Sequence, residues 1–182
     1  MQIILPKTHV FPDRELPFFF LAGPIRGGGD WQQRLTYLLL ETVGNDFTVA
    51  NPSRYPLNHP LHHLRVPGDE TYFKRQLEWE RFYLEYAAKY AKHGAILFWL
   101  GSESETDPRI EDLPYARDTY GELGEWRGRM MHEPDLRVLI GADPDFPGLD
   151  VIRRCYEAAL GPQFRISDSI EDLAGRAAEI VK

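Results

Sequence analysis

Short apolar runs alternate with longer helical patterns along this chain, and that alternation limits the folds it can adopt. The clearest run, residues 94–100, is apolar throughout, which is typical of a strand covered on both faces of a parallel sheet. Strands are also predicted at residues 18–22, 47–50, 136–140 and 164–166, with an edge strand at 1–5. The pattern predicts an α/β three-layer sandwich, in which a mainly parallel sheet of about five strands carries helices on both faces.

Five helices are predicted between these strands, from apolar residues that recur about every 3.6 positions. They cover residues 30–43, 70–93, 119–131, 151–160 and 169–181. We expect the first to begin at Asp30, whose carboxylate suits an N-cap. Prolines exclude regular structure from the loop at residues 51–69. Since the chain has neither an internal repeat nor a low-complexity tract, we expect one domain over residues 1–182.

The composition excludes several classes of protein. A formal net charge of −7 without a dense basic run argues against binding to long nucleic acids or anionic membranes, although a small phosphorylated ligand stays compatible with it. The single cysteine, Cys155, excludes an internal disulfide and a cysteine-rich zinc site. No apolar stretch approaches the ~18 residues of a membrane span, and no secretory signal is visible. We therefore expect a cytoplasmic protein with no metal and no cofactor.

The turn after the first buried strand, residues 22–30, is rich in glycine and carries Arg26. Glycines let a backbone approach a ligand closely, the following helix start attracts anions, and an arginine suits phosphate or carboxylate. The turn has neither the glycine spacing of a dinucleotide site nor the ending of a triphosphate loop. A ligand loop and a plain flexible turn both stay open from the spacing.

The predicted helix at residues 70–93 carries Glu80 within an apolar stripe that includes Phe73, Leu77 and Leu84. A carboxylate on an apolar face requires a partner or a chemical role, because burying it unpaired is costly. A salt bridge with an arginine is the simpler interpretation, and a functional carboxylate is the alternative.

A second carboxylate of interest is Glu122. Thr119 lies three residues before it, a spacing that fits a capping box in which the glutamate binds a backbone N–H group. However, Gly121, Gly124 and Gly128 share a helix face, which indicates close approach of another backbone or of a ligand. From the spacing alone, capping is favoured over a chemical role.

Two weaker candidates are the histidines of the proline-rich loop and the lone thiol. His59, His62 and His63 have no acidic residue at a suitable spacing, so a plain loop is favoured over a metal site. Cys155 lies on a predicted helix and is expected to be a structural thiol rather than a nucleophile.

Taken in order, six segments resemble the nucleoside 2-deoxyribosyltransferase superfamily, especially its deoxyribosyltransferase-like branch. They are Phe20-Leu21-Ala22-Gly23-Pro24-Ile25, Asp30-Trp31, Asn51-Pro52-Ser53-Arg54, Trp79-Glu80, Ala95-Ile96-Leu97-Phe98-Trp99-Leu100 and Glu122-Leu123-Gly124. The loop Ile25-Arg26-Gly27-Gly28 also resembles that of 2′-deoxynucleoside 5′-monophosphate N-glycosidases. The resemblance spans nearly the whole chain and implies a flavodoxin-like fold.

The resemblance also implies an activity. Glu122 would be the nucleophile that attacks the anomeric carbon of a nucleoside or nucleotide and forms a glycosyl-enzyme ester, and its position near a helix start would favour its ionised form. The sugar would then pass to a second base, or to water in an N-glycosidase. Our own hypothesis is that the acidic stretch at residues 103–112 forms a lid that decides between the two. The implied substrate contacts are Ala22, Gly23, Pro24, Ile25, Arg26, Gly27, Asp30, Glu80 and Asp118. A homo-oligomer is implied as well, and the rival hypothesis is a non-catalytic module that binds a nucleotide or ribosyl metabolite.

Overall fold

A computed structural model of the chain describes residues 1–109 and 113–182. Within those residues, six strands form one parallel sheet in the order β1-β3-β2-β4-β5-β6. They are β1 (Gln2–Ile4), β2 (Phe18–Ala22), β3 (Thr48–Ala50), β4 (Gly94–Leu100), β5 (Val138–Ala142) and β6 (Ile166–Ser167). The α/β class is thus confirmed, with six strands rather than about five. Without its edge strand β1, the order is that of flavodoxin-like folds.

The described residues also contain five α-helices, and none of them is long and apolar enough to cross a membrane. They are α1 (Trp31–Val43), α2 (Gln76–Glu85), α3 (Arg117–His132), α4 (Leu149–Leu160) and α5 (Ile170–Glu179). Asp30 is the N-cap of α1, as predicted, and its carboxylate accepts from the Gln33 N–H at 3.3 Å.

The prediction of one helix over residues 70–93 is wrong at both ends. At the start, the Thr71 N–H donates to Asp69 Oδ1 at 2.7 Å, and this local turn competes with helix formation until Arg75. At the other end, α2 passes into a π-helical turn, Tyr86–Tyr90, in which the Ala91 N–H donates to the Tyr86 carbonyl at 2.9 Å. Consequently Phe73 is buried outside the helix, and Leu77, expected in the buried stripe, is 53% exposed.

Side chains of the central strands alternate between two packed layers. Phe18 and Phe20 of β2 face the layer formed by α2, α3 and α4, whereas Phe19 and Leu21 face α1 and α5. All seven residues of β4 are buried, because this strand lies between β2 and β5 with helices on both faces. The expectation of a strand covered on both sides is confirmed at β4.

From β2 the chain continues to β3 on one side of the sheet and to β4 on the other, so the strand order reverses here. A crevice therefore opens at the carboxyl ends of β2 and β4. In open α/β sheets, ligands bind outside the carboxyl ends of the strands at such a point. Two loops leave the sheet there, residues 23–29 after β2 and residues 101–109 after β4. They are joined by a hydrogen bond from the Ser104 N–H to the Gly27 carbonyl at 2.6 Å. The fold therefore directs attention to these loops and to the helices beside them.

Candidate functional site

A cavity of about 260 Å³ lies between α2 and α3, on the layer that covers Phe18 and Phe20. Both carboxylates singled out by the sequence, Glu80 and Glu122, line it. The described lining residues are Leu77, Glu80, Arg81, Leu84, Glu85, Glu122, Glu125, Trp126 and Arg129. The structure therefore brings together two residues that lie far apart in the sequence, on facing helices.

The position of Glu122 follows from where α3 begins. Ala116 adopts a left-handed conformation, with φ of 56°, and α3 starts at Arg117 directly after it. Thr119 is then the third residue inside the helix rather than its cap, and Glu122 lies in the second turn. The capping-box interpretation of Thr119 and Glu122 is therefore wrong, because the backbone enters the helix earlier than the polar spacing suggested.

Packing beneath α3 turns Glu122 towards the cavity. Leu123 and Trp126 are buried against the sheet, and the Tyr156 hydroxyl of α4 donates to the Leu123 carbonyl at 2.8 Å. The neighbouring Glu122 side chain is left half-buried at the cavity wall. The opposite face of α3 is open, since a Cβ added at Gly121 or Gly124 would meet nothing within 4 Å.

The same is true of Gly128, so the close approach of another backbone predicted for this glycine face is absent within the described residues. The face is available to solvent, and Gly121 and Gly124 are exposed. The glycine face of α3 therefore takes no part in forming the cavity, which lies on the other side of the helix.

Burial first, and then the negative charges of Glu80, Asp118 and Glu125, raise the pKa of Glu122 to about 7. The expectation that a helix start would keep this carboxylate ionised is wrong, because Glu122 lies beyond the first turn, where the helix dipole fades. At neutral pH the side chain is divided between its acid and carboxylate forms. Such a group can both accept and donate a proton.

Glu80 has the same kind of environment on the other wall. Burial raises its pKa, the charge of Asp118 raises it further, and the charge of Arg54 lowers it. The Gln76 amide donates to Glu80 Oε1 at 2.7 Å, and Arg54 Nη2 donates to the Gln76 oxygen at 2.6 Å. The direct salt bridge expected between Glu80 and an arginine is therefore replaced by a chain in which Arg54 binds Gln76 and Gln76 binds Glu80. The spacing of the residues in the sequence did not indicate this role for Gln76 or Arg54.

Trp126 and Arg129 also line the cavity. The Arg129 guanidinium lies 4.2 Å from the centroid of the Trp126 ring and pairs with Glu85 at 2.6 Å. Neither residue was predicted as a site residue, although Trp126 lies one helical turn after Glu122 and so shares its face. Among the described lining residues, four glutamates oppose two arginines, so the cavity is acidic overall.

The glycine-rich loop after β2 lies apart from this cavity, since no residue of the predicted set Ala22–Gly27 is among its described lining residues. Ala22 is buried in the core. Gly23 has φ of +145°, and a Cβ there would lie 2.2 Å from the Trp99 carbonyl oxygen of β4. The Pro24 carbonyl accepts from the Trp31 indole at 2.7 Å. Close packing therefore accounts for much of this loop without any ligand.

Gly28 supports the same interpretation, because a Cβ there would lie 2.4 Å from the Pro24 carbonyl oxygen. Gly27, with φ of 76°, lies against the backbone of Arg109. The side chains of Ile25 and Arg26 are exposed and remain the parts of the loop that a ligand could reach.

Asp30 lies in a different cluster, formed with the loop after β3. Its carboxylate bonds His59 Nε2 at 2.8 Å and accepts from the Tyr55 hydroxyl at 3.3 Å, while the Tyr55 and His59 rings stack at 3.6 Å. Among the described residues, no group of three or more His, Cys, Asp or Glu side chains could hold a metal ion. His59 and His62 instead bond Asp30 and the Tyr55 carbonyl.

The remaining predictions concern Asp118 and the acidic lid. The charge of Asp118 acts on both Glu80 and Glu122, so it belongs to the electrostatic surroundings of the cavity. The lid predicted at residues 103–112 includes residues 110–112, which lie outside the described part of the chain. In its described part, the Arg109 N–H donates to Glu103 Oε1 at 3.0 Å.

Comparison with models of known protein families gave no match, and comparison with curated proteins gave none. The resemblance to nucleoside 2-deoxyribosyltransferases stays a prediction.

Proposed function

We propose that this protein cleaves the N-glycosidic bond of a nucleoside or nucleotide, with Glu122 as nucleophile and Glu80 as the acid–base group. One observation supports this above all: both carboxyls line the same cavity, and the raised pKa of Glu80 suits a group that donates a proton. Perturbed carboxyl pairs in a cleft are typical of catalytic sites, and glycoside cleavage uses two such groups.

The reaction proceeds in two displacements. A Glu122 carboxylate oxygen forms a bond to the anomeric carbon as the C–N bond breaks, and the electron pair leaves with the base. The Glu80 carboxyl supplies the proton that neutralises the departing base. A second base, or water, then attacks the anomeric carbon of the ester, which releases the Glu122 carboxylate, and Glu80 takes up the proton of the incoming group. Transfer and hydrolysis differ only in that second nucleophile.

The charge of the cavity suits the proposed substrate. Its acidic lining stabilises the positive charge that develops on the sugar in the transition state. Asp118 adds negative charge near both glutamates. Of the loop residues, Ile25 and Arg26 are the substrate contacts that we retain. A second copy of the chain, as in the resembled superfamily, would complete the site.

The test is a chromatographic assay of the wild type beside Glu122→Gln. A matched control is Glu41→Gln, which removes an exposed carboxylate from α1. Each protein is incubated with a panel of nucleosides and 5′-monophosphates, with and without a free acceptor base. We expect base release or exchange by the wild type and by Glu41→Gln, and a loss of at least about 1,000-fold in Glu122→Gln. Dependence on the acceptor base separates transfer from hydrolysis.

Trapping the ester provides the second readout. Acid quenching during turnover, followed by mass spectrometry, should show one added glycosyl group on the peptide that contains Glu122. An active protein in which Glu122→Gln retains full activity would refute the assignment of the nucleophile.

A non-catalytic module that binds a nucleotide or ribosyl metabolite is the second candidate. The raised pKa of Glu122 favours it, because a protonated carboxyl donates a hydrogen bond to a ligand without attacking it. A glutamine amide also donates, so Glu122→Gln would then retain ligand affinity. Binding without any product over the whole panel would support this candidate over the enzyme.

A further inference from the structure

A second cavity, of about 280 Å³, lies at the carboxyl end of β1 and shares no described lining residue with the cavity that holds Glu122. Its lining includes the cationic side chains of Lys7, Arg54 and Arg65, together with the imidazole of His62. Among the described lining residues, Glu70 is the one carboxylate, and it pairs with Arg65. Three positive charges therefore oppose one negative charge, in a protein whose net charge is −7.

The backbone of Lys7 adopts a strained conformation. The Thr8 N–H donates to the Leu5 carbonyl at 3.2 Å, which closes a turn with Pro6 and Lys7 at its centre. Lys7 has φ of 67°, a left-handed conformation that glycine or asparagine adopts more easily than lysine. Within the described chain, Lys7 has no carboxylate partner. Strained backbone of this kind clusters at ligand sites.

Arg54 and His62 add polar groups to the cavity, and neither brings a negative charge. Arg54 bonds the neutral amide of Gln76 at 2.6 Å, so its positive charge is not neutralised by that contact. His62 Nδ1 lies 3.1 Å from the Tyr55 carbonyl oxygen, and because a carbonyl only accepts, Nδ1 carries the hydrogen. In the neutral imidazole His62 Nε2 is then an acceptor, which can bind a hydroxyl group of a ligand.

We propose that this cavity binds the phosphate group of a small phosphomonoester. A phosphate dianion offers several acceptor oxygens, which guanidinium and ammonium groups bind through charge-assisted hydrogen bonds. The Glu122 cavity is acidic and unsuited to phosphate, whereas this one is basic. The proposal stands whether or not Glu122 is catalytic, because it concerns binding by other residues. The phosphate belongs either to the substrate or to a separate sugar phosphate, and the experiment distinguishes these sources.

The test is calorimetric titration with inorganic phosphate and with ribose 5-phosphate at low salt. Lys7→Asn removes the charge and places a residue that suits the turn, so the variant should retain the thermal stability of the wild type. Arg54→Gln removes a second charge. The matched control is Lys74→Asn, which removes an exposed lysine outside both cavities. We expect about a tenfold weaker Kd in each cavity variant and no change in the control.

A second titration, in the presence of the nucleoside adenosine, distinguishes the two sources of the phosphate. If the phosphate belongs to the substrate, adenosine 5′-monophosphate displaces bound adenosine and loses affinity in Lys7→Asn. If it belongs to a separate molecule, ribose 5-phosphate and adenosine bind together. Equal weakening by Lys7→Asn and Lys74→Asn would overturn the proposal, as would no binding of either phosphate at about 10 mM.

Discussion

Replacing Glu122 by glutamine is expected to stabilise the protein at alkaline pH while it removes the proposed activity. Glutamine has nearly the shape of a protonated glutamic acid and cannot ionise. In the folded protein, burial first, and then the charges of Glu80 and its neighbours, raise the pKa of Glu122 to about 7 from an ordinary value of 4.5. In the unfolded chain the same carboxyl ionises near its ordinary value. Ionisation of Glu122 therefore favours the unfolded state.

The sign and size of the effect follow from proton linkage. Below about pH 4, Glu122 is protonated in both states, so the wild type and Glu122→Gln should be equally stable. As the pH rises from 4.5 to about 7, the folded state retains a proton that the unfolded state has lost, and the wild type loses stability. At 1.36 kcal/mol per pKa unit, the accumulated difference is about 3 kcal/mol above pH 8.

Urea unfolding at pH 4, 6 and 8.5, followed by circular dichroism, measures this difference directly. We expect the urea midpoints of the two proteins to coincide at pH 4 and to separate progressively, with Glu122→Gln the more stable at pH 8.5. Glu41→Gln, which removes an exposed carboxylate from α1, controls for the change in net charge. If the two midpoints differ equally at all three pH values, or if Glu41→Gln shows the same trend, burial of Glu122 is not the cause.

Two further predictions concern the cavity and the loop after β2. Because the charge of Glu80 raises the pKa of Glu122, Glu80→Gln should lower it below about 7, and carbon NMR of the carboxyl during a pH titration measures the shift. An unchanged titration midpoint would contradict the coupling. Gly23→Ala should lower the free energy of unfolding by at least about 3 kcal/mol, because the new Cβ meets the Trp99 carbonyl oxygen at 2.2 Å. Gly29→Ala, at φ of +66° in open space, should cost only about 1 kcal/mol, and equal urea midpoints for the two variants would refute the packing argument.

Most of the fold could be predicted because its signals are local. Continuous apolar runs such as β4 and β2 identify buried strands, and the alternation of strands with helices selects a parallel sheet. The N-cap at Asp30 was predictable for the same reason, since its bond to the Gln33 N–H lies within one turn. The sequence also singled out Glu80 and Glu122, on the evidence of an apolar stripe and a short motif respectively.

The start of α3 could not be predicted, because it depends on a left-handed alanine. Nothing in the local sequence at Ala116 marks φ of 56°, a conformation that alanine rarely adopts. The early start removes Thr119 from the cap position and places Glu122 in the second turn. The shared cavity was also beyond local patterns, since it exists only because tertiary packing sets α2 against α3.

The energetic cost of the two carboxylates is the strongest reason to look for chemistry between α2 and α3 rather than in the glycine-rich loop. Gly23 and Gly28 are required by backbone atoms that a Cβ would meet at 2.2 and 2.4 Å, so packing explains them without a ligand. Glu80 and Glu122 have no comparable structural explanation. Each is half-buried with its pKa raised, and Glu80 has an amide rather than a cation as its hydrogen-bond partner. A protein retains such destabilising groups where they serve a site, and here two of them line one cavity.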